Sequence, residues 1–177
     1  AKHRRYVVTL HGTDVAVLEK SKLARRLARR VLRRAAAVTA VSGYLAQKAA
    51  SLVGVDAREI VVQPMPLDTS RYARRSAGGA GVVAIGRLVR QKNIAVVLEA
   101  MALLRDRGYS MPLTVVGDGP ERRSLEYHAK QLGIGAATRF VGAVSPGAIP
   151  DVVGDADVLA FPALHEGLGL AAAEALM

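Results

Sequence analysis

The second half of the chain alternates short apolar runs with longer helix-forming segments, and this alternation limits the possible folds more than any other feature. The apolar runs have the length and β-branched composition of buried strands, whereas the segments between them have helical spacing. In order, the pattern predicts a strand at 82–86, a helix at 93–107, a strand at 113–116, a helix at 120–132, a strand at 138–141, a short helix at 146–153, a strand at 157–161 and a helix from 168. Regular alternation of this kind predicts an α/β domain, with a parallel sheet and helices on both of its faces.

The first half shows the same kind of alternation over a shorter length. It predicts strands at 6–10, 38–41 and 60–62, a long helix at 20–37, and a helix that follows the natural N-cap Ser42 and runs through Ser51. Two prolines and the pair Gly78-Gly79 then indicate a connection. We therefore predict two Rossmann-like domains, at 1–66 and 82–177, joined by a linker at 67–81. Because the chain begins near a strand and stops within a helix, we expect the first domain to be incomplete at its N-terminus and the second to be truncated at its C-terminus.

The composition excludes several classes of function. The chain has no cysteine, which excludes disulfides, thiolate catalysis and cysteine-based zinc sites. No apolar run approaches the ~18 residues of a membrane-spanning helix, and a chain without thiols fits the reducing cytoplasm. The net charge of +10 arises in residues 1–75, which hold 16 basic and 5 acidic residues against 9 and 10 in residues 76–177. This asymmetry predicts an anionic partner for the first domain.

The basic charge is concentrated on the predicted helix 20–37. Its apolar residues fall on one arc, and the opposite arc holds Lys22, Arg25, Arg26, Arg29, Arg30, Arg33 and Arg34. Such a helix can lie on an anionic membrane surface, here the inner face of the membrane, or it can pack on a core and leave its basic face in solvent. It carries no aromatic side chain that could stack on bases, so we expect no nucleic-acid partner.

The stretch 165–176 reads HEGLGLAAAEAL and follows an apolar run at 157–162. A strand, a glycine-bearing turn and a helix start direct backbone N–H groups toward an anion. Glu166 and Glu174 lie eight positions apart, which at ~100° per residue brings them within about 80° of each other on a helix. Carboxylates accept hydrogen bonds from hydroxyls, so the pattern fits a sugar nucleotide. Two solvated glutamates, one near the helix start and one on an exposed face, would give the same spacing.

Other turns carry distinctive motifs. Predicted strands are followed by GRLVRQKN at 86–93, VGDGPE at 116–121 and FVG at 140–142, and the first half contains HGTD at 11–14 and the stretch 38–42. Together with the two C-terminal glutamates, these motifs resemble the family 4 glycosyltransferases, which are retaining enzymes of the double-Rossmann GT-B fold. The second domain resembles their nucleotide-binding domain, and the first resembles the later part of their acceptor domain.

The resemblance implies the transfer of a sugar from a nucleoside-diphosphate sugar to a hydroxyl acceptor, without a cofactor or a bound metal. It places Arg87 and Lys92 on the diphosphate, Val144 beside the base, and His11 beside the transferred sugar. We expect Glu166 to bind the hydroxyls of that sugar, so that His11 and Glu166 are the catalytic residues, and Glu174 to bind the ribose. The backbone that completes the expected diphosphate site belongs to Gly167, Leu168, Gly169 and Leu170. In the family's same-face substitution the leaving phosphate helps to take the acceptor proton.

Two other interpretations concern the class of protein. A non-catalytic GT-B module that binds a nucleotide or an anionic surface, and a sugar-nucleotide epimerase of the same fold, would share much of this pattern. The joint presence of Arg87, Lys92, Glu166 and Glu174 favours the transferase. Because a complete enzyme of the family has a glycine-rich loop before this stretch and a closing segment after it, we expect the stretch to be inactive alone.

One further motif resembles a metal-binding sequence. The segment Asp155-Ala156-Asp157 matches the Asp-x-Asp metal motif of the other major glycosyltransferase fold. It leads directly into a predicted strand, and Gly154-Asp155 is typical of a turn. We therefore expect a structural role there and no metal site.

Overall fold

A computed structural model describes residues 5–72, 81–164 and 166–176. The chain forms two compact units, Ala1–Pro66 with Glu166–Leu168 and Leu67–His165 with Gly169–Met177. Each unit has its own parallel sheet and its own hydrophobic core. Most of the predicted linker 67–81 lies outside the described residues.

The first unit is built on a three-stranded parallel sheet in the order β1-β2-β3. Its elements are β1 (Val7–Leu10), α1 (Thr13–Lys20), α2 (Lys22–Leu32), β2 (Ala37–Ala40), α3 (Gly43–Val53) and β3 (Ile60–Val62). Helix α3 begins after Ser42, whose hydroxyl accepts a hydrogen bond from the Leu45 N–H at 3.3 Å, as the sequence predicts. Its buried alanines, Ala46, Ala49 and Ala50, pack in the same cluster as Leu10.

The helix predicted at 20–37 is present as α2, but it is shorter than predicted and runs only from Lys22 to Leu32. Ser21 has an extended backbone, with φ −137° and ψ 116°, and ends α1 at Lys20. Its hydroxyl then accepts a hydrogen bond from the Ala24 N–H at 3.2 Å and starts α2 as an N-cap. The run of strong helix formers continues past Leu32, but Ala37 already begins strand β2. Helix propensity alone could not show that the end of the segment pairs in the sheet.

The second unit has a four-stranded sheet in the order β6-β5-β4-β7, and every strand pair in it is parallel. Its elements are β4 (Val82–Ile85), α4 (Ile94–Asp106), β5 (Leu113–Val116), α5 (Arg122–Gln131), β6 (Thr138–Gly142), α6 (Ile149–Gly154), β7 (Val158–Ala160) and α7 (Leu170–Ala175). These eight elements follow the predicted alternation, with shifts of one to three residues at most ends. The core packs α4 and α5 against the sheet, and Leu98 and Leu113 are almost completely buried.

The largest consequence of those shifts concerns α7. The sequence predicts a helix from 168, whereas the helix begins at Leu170. Gly169 has φ 74° and ψ 52°, a left-handed conformation that cannot continue a right-handed helix. Glu174 therefore lies little more than one turn into α7. Among the described residues, no helix is long and apolar enough to cross a membrane.

Candidate functional site

The turns after β4, β5 and β6 are joined at one edge of the second unit's sheet. Because the strands are parallel, their carboxyl ends share that edge, where ligands bind in open α/β sheets. The Gly86 N–H donates a hydrogen bond to the Val116 carbonyl oxygen at 3.0 Å. The Gly117 N–H donates to the Gly142 carbonyl oxygen at 2.7 Å. The three turns therefore form one backbone framework.

Two glycines are required by this framework itself. A Cβ on Gly117 would lie 1.9 Å from the Gly86 carbonyl oxygen, and the Gly117 φ of 130° disfavours any other residue. A Cβ on Gly119 would lie 2.4 Å from the Leu88 carbonyl oxygen. Both glycines therefore allow neighbouring turns to approach each other closely.

The predicted diphosphate residues lie in the segment between β4 and α4. Leu88 is completely buried and anchors the segment. Its N–H donates to the Asp118 carbonyl at 2.9 Å, and its carbonyl accepts from the Glu121 N–H at 3.1 Å. Arg87, next to Leu88, is exposed. The buried leucine thus fixes the backbone from which Arg87 extends.

Lys92 is half-buried and more closely held than Arg87. Its aliphatic stem passes 3.5 Å from the point that a Cβ on Gly86 would occupy. Its ammonium lies 5.4 Å from the centre of the Phe161 ring. Phe161 directly follows β7, so Lys92 joins the ends of two neighbouring strands. A cation at this distance over an aromatic ring is attracted to its face. The helix α4 begins two residues later, where its N-terminus also favours an anion.

Arg122 is a positioning residue that the sequence analysis did not identify. Its guanidinium donates hydrogen bonds to the Glu126 carboxylate at 2.9 Å, the Phe140 carbonyl oxygen at 3.1 Å and the Asp118 carboxylate at 3.3 Å. The hydrogen bond to Glu126 contributes most to raising the pKa of Arg122 above its usual value. Arg122 thereby connects the turn after β5 to the end of β6. The spacing of Asp118, Arg122 and Glu126, four residues apart, was a readable signal of this network.

The C-terminal glutamates have different surroundings. Glu166 is half-buried, and one of its carboxylate oxygens lies 3.4 Å from the N–H of Gly167. Glu174 is half-buried on α7. The predicted backbone site at 167–170 divides between the units, with Gly167 and Leu168 in the first and Gly169 and Leu170 in the second. Its binding role stays a prediction.

His11 lies on a turn in the first unit, and its side chain is exposed. The carboxylate of Asp14 accepts hydrogen bonds from the N–H groups of His11 at 3.1 Å and Gly12 at 2.7 Å. Within the same unit, a Cβ on Gly167 would lie 2.2 Å from the His11 carbonyl oxygen. The structure thus brings His11 and Gly167 together through their backbones. The role of the His11 side chain stays a prediction.

Val144 lines a groove of about 620 Å³ in the second unit. Its neighbours in the lining include Val83, Thr114 and Val141, so the wall is mainly apolar. The lining also includes Pro112 and Ala136, which precede β5 and β6, so the groove runs along the sheet and is not confined to its carboxyl edge. The expectation that Val144 packs beside the base stays a prediction.

The Asp-x-Asp match has a structural role. The Asp157 carboxylate accepts a hydrogen bond from the Gly81 N–H at 2.9 Å, and the Asp157 N–H donates to the Gly81 carbonyl at 3.0 Å. Asp157 thus fastens the start of β7 to the start of β4. Asp155 lies at the C-cap of α6. Among the described residues, no group of three or more acidic or histidine side chains could hold a metal ion.

Comparison with protein families identifies relatives of both halves of the chain. Residues 74–177 match the family model described as glycosyl transferases group 1. The chain belongs to that family. Residues 1–71 match a second model, described as glycosyltransferase family 4. The resemblance deduced from the motifs is therefore confirmed.

Individual members of the family are similar over nearly the whole chain. The 2-deoxystreptamine glucosyltransferase of Streptomyces kanamyceticus is 30% identical over 97% of this chain and 50% of its own length. The GDP-mannose-dependent alpha-(1-6)-phosphatidylinositol monomannoside mannosyltransferase of Mycolicibacterium smegmatis is 32% identical over 94% of this chain and 46% of its own length. The chain thus spans about half the length of these curated relatives.

Solved structures show the fold. The Anabaena protein HepE, crystallised with UDP and glucose, superposes with a TM-score of 0.83 at 21% identity, over 98% of this chain and 50% of its own. TarM of S. aureus superposes with a TM-score of 0.81 at 13% identity, over 99% of this chain and 35% of its own. The predicted fold class, α/β with parallel sheets of the GT-B type, is confirmed.

Proposed function

We propose that this glycosyl transferase group 1 protein is a retaining enzyme that moves a sugar from a nucleoside-diphosphate sugar to a hydroxyl acceptor. The observation that carries the proposal is the position of Lys92. Its ammonium is held over Phe161, and its stem crosses Gly86, at the edge where the turns after β4, β5 and β6 are joined. Two of the similar proteins support a nucleotide-sugar donor, since one is named as GDP-mannose-dependent and HepE was crystallised with UDP and glucose.

The chemistry of the leaving group explains the need for these cations. When the bond between the sugar carbon and the diphosphate oxygen breaks, negative charge develops on the phosphates. Arg87 and Lys92 stabilise that charge, and the N–H groups of residues 167–170 assist. A fixed cation interacts more strongly with the developing charge than with the intact donor, so it lowers the barrier rather than only tightening binding.

The other proposed contacts assign one part of the donor to each residue. Glu174 accepts hydrogen bonds from the ribose hydroxyls, Glu166 accepts them from the transferred sugar, and Val144 packs beside the base. His11 lies beside the transferred sugar. Carboxylates suit the two hydroxyl-bearing groups because an ionised carboxylate only accepts hydrogen bonds.

Retention follows from attack on the same face of the sugar. The acceptor oxygen forms a bond to the sugar carbon as the diphosphate oxygen leaves, and the acceptor proton passes to a phosphate oxygen. No divalent metal is needed in this scheme, since Arg87 and Lys92 supply the positive charge. Asp157 is already engaged with the backbone of Gly81.

We further propose that the enzyme works in the cytoplasm, at the inner face of the membrane. The charge of the first 75 residues supports this location, because the cytoplasmic leaflet carries a negative surface potential.

The experiment is mass spectrometry of the full-length protein incubated with a panel of nucleotide sugars and hydroxyl acceptors. A glycosylated acceptor whose anomeric configuration matches the donor supports the proposal. Interconversion of the donor without an acceptor would indicate an epimerase, and binding without turnover would indicate a non-catalytic module.

A mutational arm tests the residues. Arg87→Ala and Lys92→Ala should each weaken nucleoside-diphosphate binding by ~1.5–3 kcal/mol, the magnitude of a charge-assisted hydrogen bond. Arg90→Ala is the matched control, since Arg90 is an exposed cation in the same turn. Calorimetry that finds the same affinity in all three variants would remove the cationic clamp from the proposal.

A further inference from the structure

Helix α2 carries more apolar side chains than the core of the first unit uses. Ala24, Ala28 and Leu32 pack with the cluster that contains Leu18 and Val53. By contrast, Leu23, Leu27 and Val31 face outward, with 67%, 58% and 45% of their surface exposed. The sequence analysis placed all of these residues on one apolar arc. The structure separates them, and the exposed three form a continuous stripe because they are four residues apart.

A basic stripe runs beside the apolar one. Lys22, Arg26 and Arg30 also follow one another at intervals of four, each one position before a residue of the apolar stripe, and all three are exposed. No acidic residue lies in α2. Within the described part of the chain, no carboxylate pairs with any of these three cations. We call the six residues of the two stripes the α2 outer face.

The other two cations of α2, Arg25 and Arg29, lie close to neighbouring helices of the unit. The Arg25 guanidinium donates hydrogen bonds to the carbonyls of Leu18 at 2.6 Å and Glu19 at 2.8 Å, and so satisfies the end of α1. The Arg29 guanidinium lies 3.7 Å from the Cβ position of Gly54, the C-cap of α3. Arg25 therefore holds α2 on the unit, and Arg29 lies beside the end of α3. No hydrogen bond or ion pair joins Lys22, Arg26 or Arg30 to the described residues in this way.

We infer that the α2 outer face docks on an anionic lipid bilayer. In this arrangement Leu23, Leu27 and Val31 enter the boundary between headgroups and acyl chains, and the basic stripe contacts the lipid phosphates. The eleven residues of α2 make a contact about 16 Å long at 1.5 Å per residue. The inference deepens the proposed location at the inner face of the membrane and rests on it.

The combination of the two stripes selects this partner over other polyanions. A nucleic acid would use the cations but would leave three large apolar side chains in water, and α2 offers no aromatic ring for stacking. A bilayer interface supplies negative charge and an apolar layer side by side. Its attraction should therefore have a salt-sensitive part from the basic stripe and a salt-resistant part from the apolar stripe.

The test is co-sedimentation of the full-length protein with phosphatidylcholine vesicles that contain or lack phosphatidylglycerol. Arg26→Gln/Arg30→Gln should weaken binding to anionic vesicles by about 25-fold, at about fivefold per cation near the surface. Leu23→Ala/Leu27→Ala should weaken it by at least about tenfold, at both low and high salt. Leu103→Ala and Arg123→Gln are the matched controls, because both residues are exposed on the second unit, and they should bind as the unaltered protein does.

Two further measurements separate the possible failures. Thermal unfolding should be unchanged in Leu23→Ala/Leu27→Ala, since both side chains are exposed. A lowered Tm with full vesicle binding would show that the stripe packs against protein and would overturn the inference, as would equal binding to both kinds of vesicle. Nucleoside-diphosphate affinity should stay constant in the α2 variants. If the unaltered protein binds a nucleoside diphosphate but does not bind anionic vesicles, the docking surface alone is refuted. If the unaltered protein does not bind a nucleoside diphosphate, the proposed transferase is refuted.

Discussion

Replacing Gly117 with alanine tests whether the joined turns of the second unit position its binding edge. The new Cβ would lie 1.9 Å from the Gly86 carbonyl oxygen, whereas real Cβ contacts are essentially never shorter than 3.0 Å. The two turns must therefore separate by about 1 Å (3.0 − 1.9 Å). That movement strains the hydrogen bond from the Gly86 N–H to the Val116 carbonyl, at a cost of ~0.5–1.5 kcal/mol. The unfavourable φ of 130° adds ~1–3 kcal/mol.

The expected loss in the free energy of unfolding is thus about 1.5–4.5 kcal/mol. Two other glycines separate its components. Gly108→Ala has φ 86° but no atom within 4 Å of the new Cβ, so it should lose only the ~1–2 kcal/mol of a left-handed residue. Gly43→Ala begins α3 without a positive φ and with open space, so it should be neutral or gain up to ~1 kcal/mol.

The assays are urea unfolding followed by circular dichroism, and calorimetric titration with a nucleoside diphosphate, both on the full-length protein. Gly117→Ala should weaken diphosphate binding as well as stability, because the turn that shifts adjoins Arg87 and Lys92. Gly108→Ala should change stability alone, since Gly108 follows the far end of α4. If Gly117→Ala and Gly108→Ala lose the same stability and bind equally well, the contact between the turns has no energetic consequence and the reasoning is wrong.

Three other predictions address the core, the glutamates and the metal. Leu98→Ala should cost ~2–5 kcal/mol of stability, because Leu98 is completely buried, whereas Leu103→Ala, 60% exposed on the same helix, should stay within ~0.5 kcal/mol in urea unfolding. Glu174→Gln should weaken nucleoside-diphosphate binding by ~1–2 kcal/mol in calorimetry, whereas Glu166→Gln should lower turnover at nearly constant affinity; a larger affinity loss in Glu166→Gln would reverse the two assignments. Transfer activity should survive EDTA, and restoration by manganese after complete loss would contradict the structural role of Asp157.

The fold was predictable where local and tertiary preferences agree. In the second unit, each strand is a short β-branched run and each helix has an apolar face, so the alternation predicted all eight elements. In the first unit, the alanine- and arginine-rich stretch favoured a helix through residue 37. The parallel pairing of Ala37 with Val7 instead makes that residue part of β2. Tertiary pairing overrode helix propensity there, and no local pattern could reveal it.

The candidate site was predictable in its residue types but not in its contacts. The glycines of the turns were identified, yet the reason that Gly117 must be glycine is the carbonyl of Gly86, some thirty positions away. Likewise, the sequence of α2 predicts one basic arc opposite one apolar arc. The exposure of Leu27 depends on which side of the helix meets α3, and such an orientation is set by packing between elements rather than by periodicity.

The segment that carries Arg87 connects the stability of the second unit with the proposed diphosphate binding. A loop that binds a ligand is usually among the less stable parts of a protein, but Leu88, the neighbour of Arg87, is completely buried in the main core cluster of the second unit. Its N–H and carbonyl also hold the turn after β5, through Asp118 and Glu121. A flexible cation would lose side-chain and backbone entropy on meeting a diphosphate. Because the core already fixes the backbone at Leu88, the backbone part of that ordering is complete before a ligand arrives. In the proposed reaction, the cation can then act on the charge that develops on the diphosphate.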